Sequence, residues 1–311
     1  PLTSGVNSAT TINSANILNK GWELNLTTNN KIGDLRIRAN FNLSHLDNEV
    51  TKINSDLSSD NDMVYIGTGG DRNVWLIRDA PINAIYGHEF GGVFQTDDFN
   101  DDGSLRSGID YSWLGSPRPG DIKYTDQNGD NIIDESDRVV IGDRNPEWLY
   151  GLNLNLDYKG FDLGMFFQGV GNIESWVNRY TGNFGHSGLR EFWTNGWTEE
   201  NPSNTIPRVF VDRDGFNGQS IEGLGGQAMN SFWVIDQSYL RLKNIVLGYS
   251  LPKKLLDKYS IERLRIYVSG QNLWTQSDLD DLDPERSQFS NHFGGTLPQA
   301  KSYTVGLNLT F

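Results

Sequence analysis

The chain has 311 residues, with 26 lysines and arginines against 40 aspartates and glutamates, giving a formal charge of -14. That balance excludes a nucleic-acid partner, because phosphate binding needs clustered cations. The absence of cysteine excludes disulfide frameworks and thiolate metal sites. No apolar run approaches the roughly 18 residues that a membrane-spanning helix requires.

Hydrophobic residues make up 36% of the chain, and the mean hydropathy is -0.52. Strands escape the helix test, since a strand facing lipid on one side and water on the other needs apolar residues only at alternate positions. The 34 glycines and 12% aromatics fit an all-β chain with long loops.

Seven segments have the alternation and length of membrane strands, about 9–11 residues each. Gly21–Thr28 puts Trp22, Leu24 and Leu26 on one face. Leu35–Leu46 sets Ile37, Ala39, Phe41 and Leu43 against Arg36, Arg38, Asn40 and Asn42. After a long polar excursion, residues 47–147, the segment Trp148–Tyr158 sets Tyr150, Leu152, Leu154, Leu156 and Tyr158 against Gly151, Asn153, Asn155 and Asp157. Phe161–Gly169 follows, with Phe161, Leu163, Met165 and Phe167 outward. In Tyr239–Ser250 the alternation breaks, with Leu240 and Leu242 on one face but Ile245, Leu247 and Tyr249 on the other. A bulge near Lys243-Asn244 would reconcile them. Leu264–Asn272 and Ser302–Phe311 complete the set. The last places Tyr303, Val305, Leu307, Leu309 and Phe311 on one face and Thr304, Gly306, Asn308 and Thr310 on the other.

The links alternate short and long. Short links follow the first, third and fifth segments; long ones, 47–147, 170–238 and 273–301, follow the others. Outer-membrane barrels have short periplasmic turns and long extracellular loops. The expectation is therefore the C-terminal portion of a large antiparallel transmembrane β-barrel, a single domain over residues 1–311, ending on the periplasmic side. A β-sandwich shares the alternation but not the parity of the links. Seven strands do not close around a lumen. With no initiator Met or signal peptide at Pro1, the chain reads as a segment of a longer protein, its other strands preceding it.

Residues 126–137 carry the sharpest motif. Asp126, Asn128, Asp130, Asp134 and Asp137 stand at positions 1, 3, 5, 9 and 12, with the Ile132 carbonyl at position 7. This is the spacing of a twelve-residue Ca²⁺ loop, in which alternate oxygens converge on one ion while Ile133 anchors the loop. Gly129 at position 4, Asn131 at position 6 and Asp137 instead of Glu at position 12 depart from the pattern. No helical pattern flanks it, so a structural ion is expected. The alternative is a solvated turn rich in Asx hydrogen bonds.

Nothing marks an enzyme. The four histidines, His45, His88, His186 and His292, show no metal-ligand spacing. Acidic pairs such as Asp97-Asp98 and Asp280-Asp281 lie in polar stretches. Tryptophans cluster in the long links, and Trp113, Trp193, Trp197 and Trp274 are candidates to stack on sugar rings, with Asn153 and Asn155 offering amides from the lumen. The bland reading makes the tryptophans loop cores and girdle residues.

The chain resembles the C-terminal part of SusC/RagA-family TonB-linked outer-membrane transporters of Bacteroidetes. The resemblance is carried by Ala80-Pro-Ile-Asn-Ala-Ile-Tyr-Gly87, Pro119-Gly-Asp-Ile-Lys-Tyr-Thr-Asp126, Tyr158-Lys-Gly-Phe-Asp-Leu163, Ser238-Tyr-Leu-Arg-Leu-Lys-Asn-Ile245, Tyr267-Val-Ser-Gly-Gln-Asn-Leu273 and the terminal strand. It implies a barrel of about 22 strands with a plugged lumen, a SusD-like surface lipoprotein partner, and TonB-driven uptake of oligosaccharides or peptides. It also makes the final aromatic, Phe311, a signal for barrel assembly in the outer-membrane lipid. A siderophore or cobalamin receptor of the same architecture is one alternative. A secreted calcium-binding, carbohydrate-binding β-protein is another.

Overall fold

The computed structural model describes residues 15–54, 63–65, 75–176, 194–209, 230–279, 283–285 and 298–311. Its main element is one seven-stranded antiparallel sheet: β1 (Ala15–Ile32), β2 (Leu35–Ile53), β3 (Trp148–Tyr158), β4 (Phe161–Gly171), β5 (Tyr239–Ser250), β6 (Arg263–Ser277) and β7 (Ser302–Thr310). The strands lie side by side in chain order. Each pairs antiparallel with the next, as a meander through a barrel wall requires.

The β3 and β5 limits match those read from the sequence. β1 and β2 run well past theirs, so the first link shrinks to residues 33–34. The extra length lies mainly at the other end of the hairpin, where Val50 and Ile53 pack on Leu76 of the long link instead of facing lipid. Alternation suited to a membrane stops there while the hydrogen-bond ladder continues. Between β3 and β4, Lys159 (φ 47) and Gly160 (φ 88) both take left-handed conformations, the requirement of a two-residue type I′ hairpin.

One face of the sheet is apolar and bare. Tyr303 and Val305 on β7 are each 77% exposed, and register places Val305 opposite Val268 and Leu307 opposite Ile266. The other face carries Asn, Thr, Arg and Asp. The bulge expected near Lys243-Asn244 is present: the β5–β6 register shifts between Leu242 and Asn244, and the β4–β5 register shifts opposite it, between Phe166 and Phe167.

Among the described residues, clusters of buried apolar side chains lie in the β2–β3 link and where the end of β2 meets it. Phe94, Phe99, Tyr111, Leu114, Ile122, Tyr124 and Ile133 form a buried cluster in the β2–β3 link. Two small hairpin pairings frame it, Ile85–His88 with Arg138–Gly142 and Phe90–Val93 with Ile122–Tyr124. The Tyr111 hydroxyl accepts from the Tyr124 N–H at 3.1 Å and donates to the Tyr124 carbonyl at 3.3 Å. Burial pushes the Tyr111 phenol up to about 12.

Candidate functional site

The polar face of the sheet is graded. Toward the short links it is charged, and two of its arginines are paired with aspartates. Arg38 on β2 meets Asp157 on β3 at 3.0 Å. Arg265 on β6 reaches across β5 to Asp162 on β4, with Nε at 2.8 Å and Nη2 closer still. That crossing needs Gly248 beneath it, because a Cβ there would overlap the guanidinium.

One row further from the short links the charges end. Register aligns Thr27, Asn40, Asn153, Phe166, Asn244, Gln271 and Ser302 directly across all seven strands. Every member but Phe166 is an uncharged hydrogen-bonding residue. A cleft of about 490 Å³ opens on this face, lined by Asn153, Asn155, Phe166 and Asn244 together with the Arg38–Asp157 and Arg265–Asp162 pairs. Asn153 and Asn155, both expected to face the lumen, therefore meet in one cleft, joined by an amide hydrogen bond of 2.9 Å.

Above that row an ionic knot fastens the β6–β7 link to the wall. Arg241 is buried on β5 and donates to Thr275 on β6 (2.8 Å), Glu285 (2.6 Å) and Asp283 (2.8 Å). Lys243 adds bonds to Glu285 at 2.8 and 2.9 Å. Gln237 Nε2 donates to the Pro284 carbonyl at 2.7 Å. Burial opposes the Asp283 charge, but hydrogen bonds from Arg241 and from the Gln299 and Glu285 N–H groups hold its carboxyl below the usual range. Residue types alone gave no sign of this knot, since its partners lie 42 to 44 residues apart.

The expected tryptophan sites separate. Trp113 is half-buried against the aromatic core, with the Arg138 guanidinium 5.4 Å from its ring centre. Trp197 donates to Gln95 Oε1 at 2.9 Å and packs on Gly120. Beside it, Arg208 meets the buried Asp121 at 2.6 Å, so the β4–β5 link is docked on the β2–β3 link. Trp274 pairs with Leu242, and Leu242 with Phe167, placing it on the apolar face away from Asn153 and Asn155. The cause is the bulge, where Asn272 turns left-handed (φ 52) and resets the alternation. Trp193 lies outside the described residues. Phe311 follows β7 and is 82% exposed.

In the 126–137 loop, Asp126 accepts from the Gly129 and Asn131 N–H groups at 2.7 and 2.9 Å. Asp130 accepts from the Ile132 N–H at 2.8 Å, and Asp134 from the Ser136 N–H at 2.7 Å. Buried Asp137 takes the Gln127 and Asp134 N–H groups at 2.8 and 2.9 Å. Asn128 Oδ1 accepts from the Asp130 N–H at 2.9 Å. Ile133 is fully buried in the aromatic core. Among the described residues no three His, Asp or Glu side chains converge closely enough to hold a metal as they stand. The donor chemistry still fits a hard cation, because a carboxylate oxygen that accepts one N–H keeps a second lone pair.

An antiparallel meander with one bare apolar face, one polar face and links of alternating length is a section of a transmembrane-type β-barrel wall. No family model matches the chain. Among curated proteins it is similar to a TonB-dependent receptor of Formosa agariphila, 31% identical over 329 residues, spanning 100% of this chain and 30% of the relative. A second receptor of that organism is 31% identical over 319 residues, 96% of this chain and 30% of its own length. The TonB-dependent receptor SusC of Bacteroides thetaiotaomicron is 28% identical over 196 residues, 62% of this chain and 18% of SusC. Among solved structures, that of the RagAB peptide transporter superposes with a TM-score of 0.69 at 20% identity, covering 96% of this chain and 29% of that one. The chain belongs to the TonB-dependent receptors of the SusC/RagA type, and its fold is that of the C-terminal part of their barrel. It spans about 30% of the length of the relatives it matches.

Proposed function

We propose that this chain supplies part of the wall and outer loops of an outer-membrane importer. The importer takes up oligosaccharides, or peptides as the RagAB peptide transporter does, with a SusD-like lipoprotein as lid. Energy comes from the TonB complex acting through parts of the protein outside this chain. No covalent chemistry is involved. The short links face the periplasm and the long links the exterior. The observation that carries this reading is the two-faced sheet, bare and apolar on one side, polar with an open cleft on the other. A soluble secreted carbohydrate-binding protein would have to cover that apolar face.

A siderophore or cobalamin receptor is disfavoured by the cleft. Of the three arginines lining it, Arg38 and Arg265 are neutralised by Asp157 and Asp162, so Arg263 alone is in excess and the cationic field for an anionic chelate is weak. We also assign residues 126–137 a structural Ca²⁺ held by Asp126, Asn128, Asp130, Asp134, Asp137 and the Ile132 carbonyl. The test is uptake by cells carrying the full-length protein and its neighbouring lipoprotein. Accumulation of labelled oligosaccharide or peptide that stops when TonB is deleted is expected. Uptake of ferric siderophore or cobalamin alone would overturn the reading.

A further inference from the structure

The three short links at one end of the sheet are unequal. Residues 33–34 and 159–160 only turn the chain, whereas the β5–β6 link takes residues 251–262. It folds into one helical turn, α1 (Lys253–Leu256), continued by a 3₁₀ turn over Asp257–Tyr259. Leu256 is buried and α1 packs on β6. Its neighbour Leu255 is 59% exposed, and Tyr259 is 73% exposed. Four residues apart, these two share one face of the helical run. Lys253, Lys254 and Lys258 are exposed around them, with Asp257 the one acid in residues 253–259. In a chain of net charge -14 the sign is locally reversed.

The link stands where the apolar face ends. Tyr158, Phe161 and Tyr249 align across β3, β4 and β5 in the last apolar row before the turns, with the Phe161 and Tyr249 ring centres 4.5 Å apart. Aromatic rows of this kind mark membrane–water interfaces. On β6 and β7 the apolar face continues one row further, to Leu264 opposite Leu309. The link is closed onto that edge at both ends. The Leu251 N–H donates to the Leu264 carbonyl at 2.9 Å, and the Glu262 N–H to the Thr310 carbonyl at 2.8 Å.

Two occupants suit a leucine and a tyrosine ringed by lysines: an acidic protein, or an anionic lipid surface. A protein partner gives no reason for the patch to continue the aromatic row. A membrane interface does. Leucine and tyrosine enter the boundary between headgroups and acyl chains, while lysine stems lie along it and carry their ammonium groups to the phosphates. We infer that residues 253–259 form a foot on the membrane interface, with Leu255 and Tyr259 inserted and the three lysines on anionic phospholipid. This rests on the reading of the sheet as a lipid-facing wall, and adds a headgroup contact that strand alternation does not supply.

The test uses the full-length protein refolded into vesicles of phosphatidylcholine, alone or mixed with phosphatidylglycerol. This chain contributes no cysteine, so Tyr259→Cys and Leu154→Cys can each carry one fluorophore in a full-length protein otherwise free of cysteine. Lipids bearing a nitroxide near the headgroup or deep in the acyl chain act as quenchers. Leu154, opposite Met165 on the apolar face, reports on the wall and should be quenched by the deep nitroxide. The label at position 259 should be quenched by the shallow one. It should favour nitroxide carried on phosphatidylglycerol over phosphatidylcholine about fivefold, the scale of one lysine at an anionic surface. Lys253→Gln, Lys254→Gln and Lys258→Gln together should abolish that preference without changing the report from position 154. Quenching at 154 with none at 259 would overturn the inference, leaving the patch to a protein partner. Equal quenching of the 259 label by both lipids would overturn it too, reducing the link to an apolar contact. No quenching at 154 would instead remove the reading of the sheet as a membrane wall.

Discussion

The sheet and the β2–β3 link are built on opposite plans. β7 keeps Tyr303, Val305 and Leu307 bare, and no protein layer covers that face among the described residues. A few strands away in sequence, Ile122, Ile133 and Val93 are fully buried, and the link packs like a small soluble domain. The difference lies in the solvent. In the proposed importer lipid supplies the apolar partner for the wall, so the wall is held by its hydrogen-bond ladders and needs no core. The β2–β3 link, placed in water by the same proposal, must bury its own aromatics. Side-chain changes should therefore act differently in the two regions.

The largest effect is expected where the two plans meet. Arg241→Met would strand buried Asp283 without its cation and leave Glu285 with Lys243 alone, at a local cost of about 3–5 kcal/mol. Hydrogen exchange at the Gln299 amide, which donates to Asp283 at 2.6 Å, should accelerate, while amides of β3 stay protected. Protection of the Gln299 amide equal to wild type would mean the knot contributes little. Acid should act in the same direction. Asp283 is depressed on folding, so its contribution is fully present above the ordinary aspartate value of 3.8 and is lost as pH falls through the lower, folded value.

On the wall, sidedness decides. Leu154 and Asn155 are neighbours on β3 with opposite faces, Leu154 opposite Ala39 and Met165, and Asn155 opposite Arg38 and Gly164. In refolding of the full-length protein into bilayers, Leu154→Arg should cost about 2–4 kcal/mol and Asn155→Arg almost nothing. Equal costs would dissolve the distinction between a lipid face and a lumen face. In the link, Tyr111→Phe leaves the buried Tyr124 N–H and carbonyl without the shared hydroxyl, at about 1–3 kcal/mol. Proteolysis should then find residues 90–125 more readily, with the barrel strands unaffected.

Much of the wall was legible because alternation is a local property. β3 and β5 end where their sequences said, and the misfit of Leu240 and Leu242 with Ile245, Leu247 and Tyr249 located the bulge. What that bulge does to its neighbours was not legible. Trp274 looked like a loop aromatic and lies on the apolar face, because the shift in β6 depends on pairing with β5. The doublet Phe166-Phe167 reads as apolar on both faces, so the inward ring passed unnoticed until register set it between Asn153 and Asn244. Arg241 and Asp283 illustrate the general limit. A buried ion pair closed over 42 residues leaves no periodic trace in sequence.

The smallest global effect, and the sharpest local one, belongs to the 126–137 loop. Asp126, Asp130, Asp134 and Asp137 crowd four carboxylates into twelve residues, and each is steadied by backbone N–H groups. Without a cation those charges repel, and the loop relies on these turns and on Ile133, buried in the aromatic core. A Ca²⁺ ion drawing the remaining lone pairs together to about 2.3–2.6 Å would remove the repulsion and stiffen the chain just before it enters β3. Chelation should therefore expose residues near 126–137 to protease, while the ladders of β2, β3 and β4, which share no residue with the loop, stay intact. Asp130→Ala should reproduce the chelator effect, since Asp130 is exposed and takes part in no core contact. Asp137→Asn should do more. Its carboxylate bonds both the Gln127 and Asp134 N–H groups, so an amide loses one strong acceptor even in the absence of metal. The two variants separate the ion from the turn. If calcium leaves the protease pattern of wild-type protein and of Asp130→Ala unchanged, while Asp137→Asn alone loosens the loop, the turn is self-sufficient and the assignment of the ion fails.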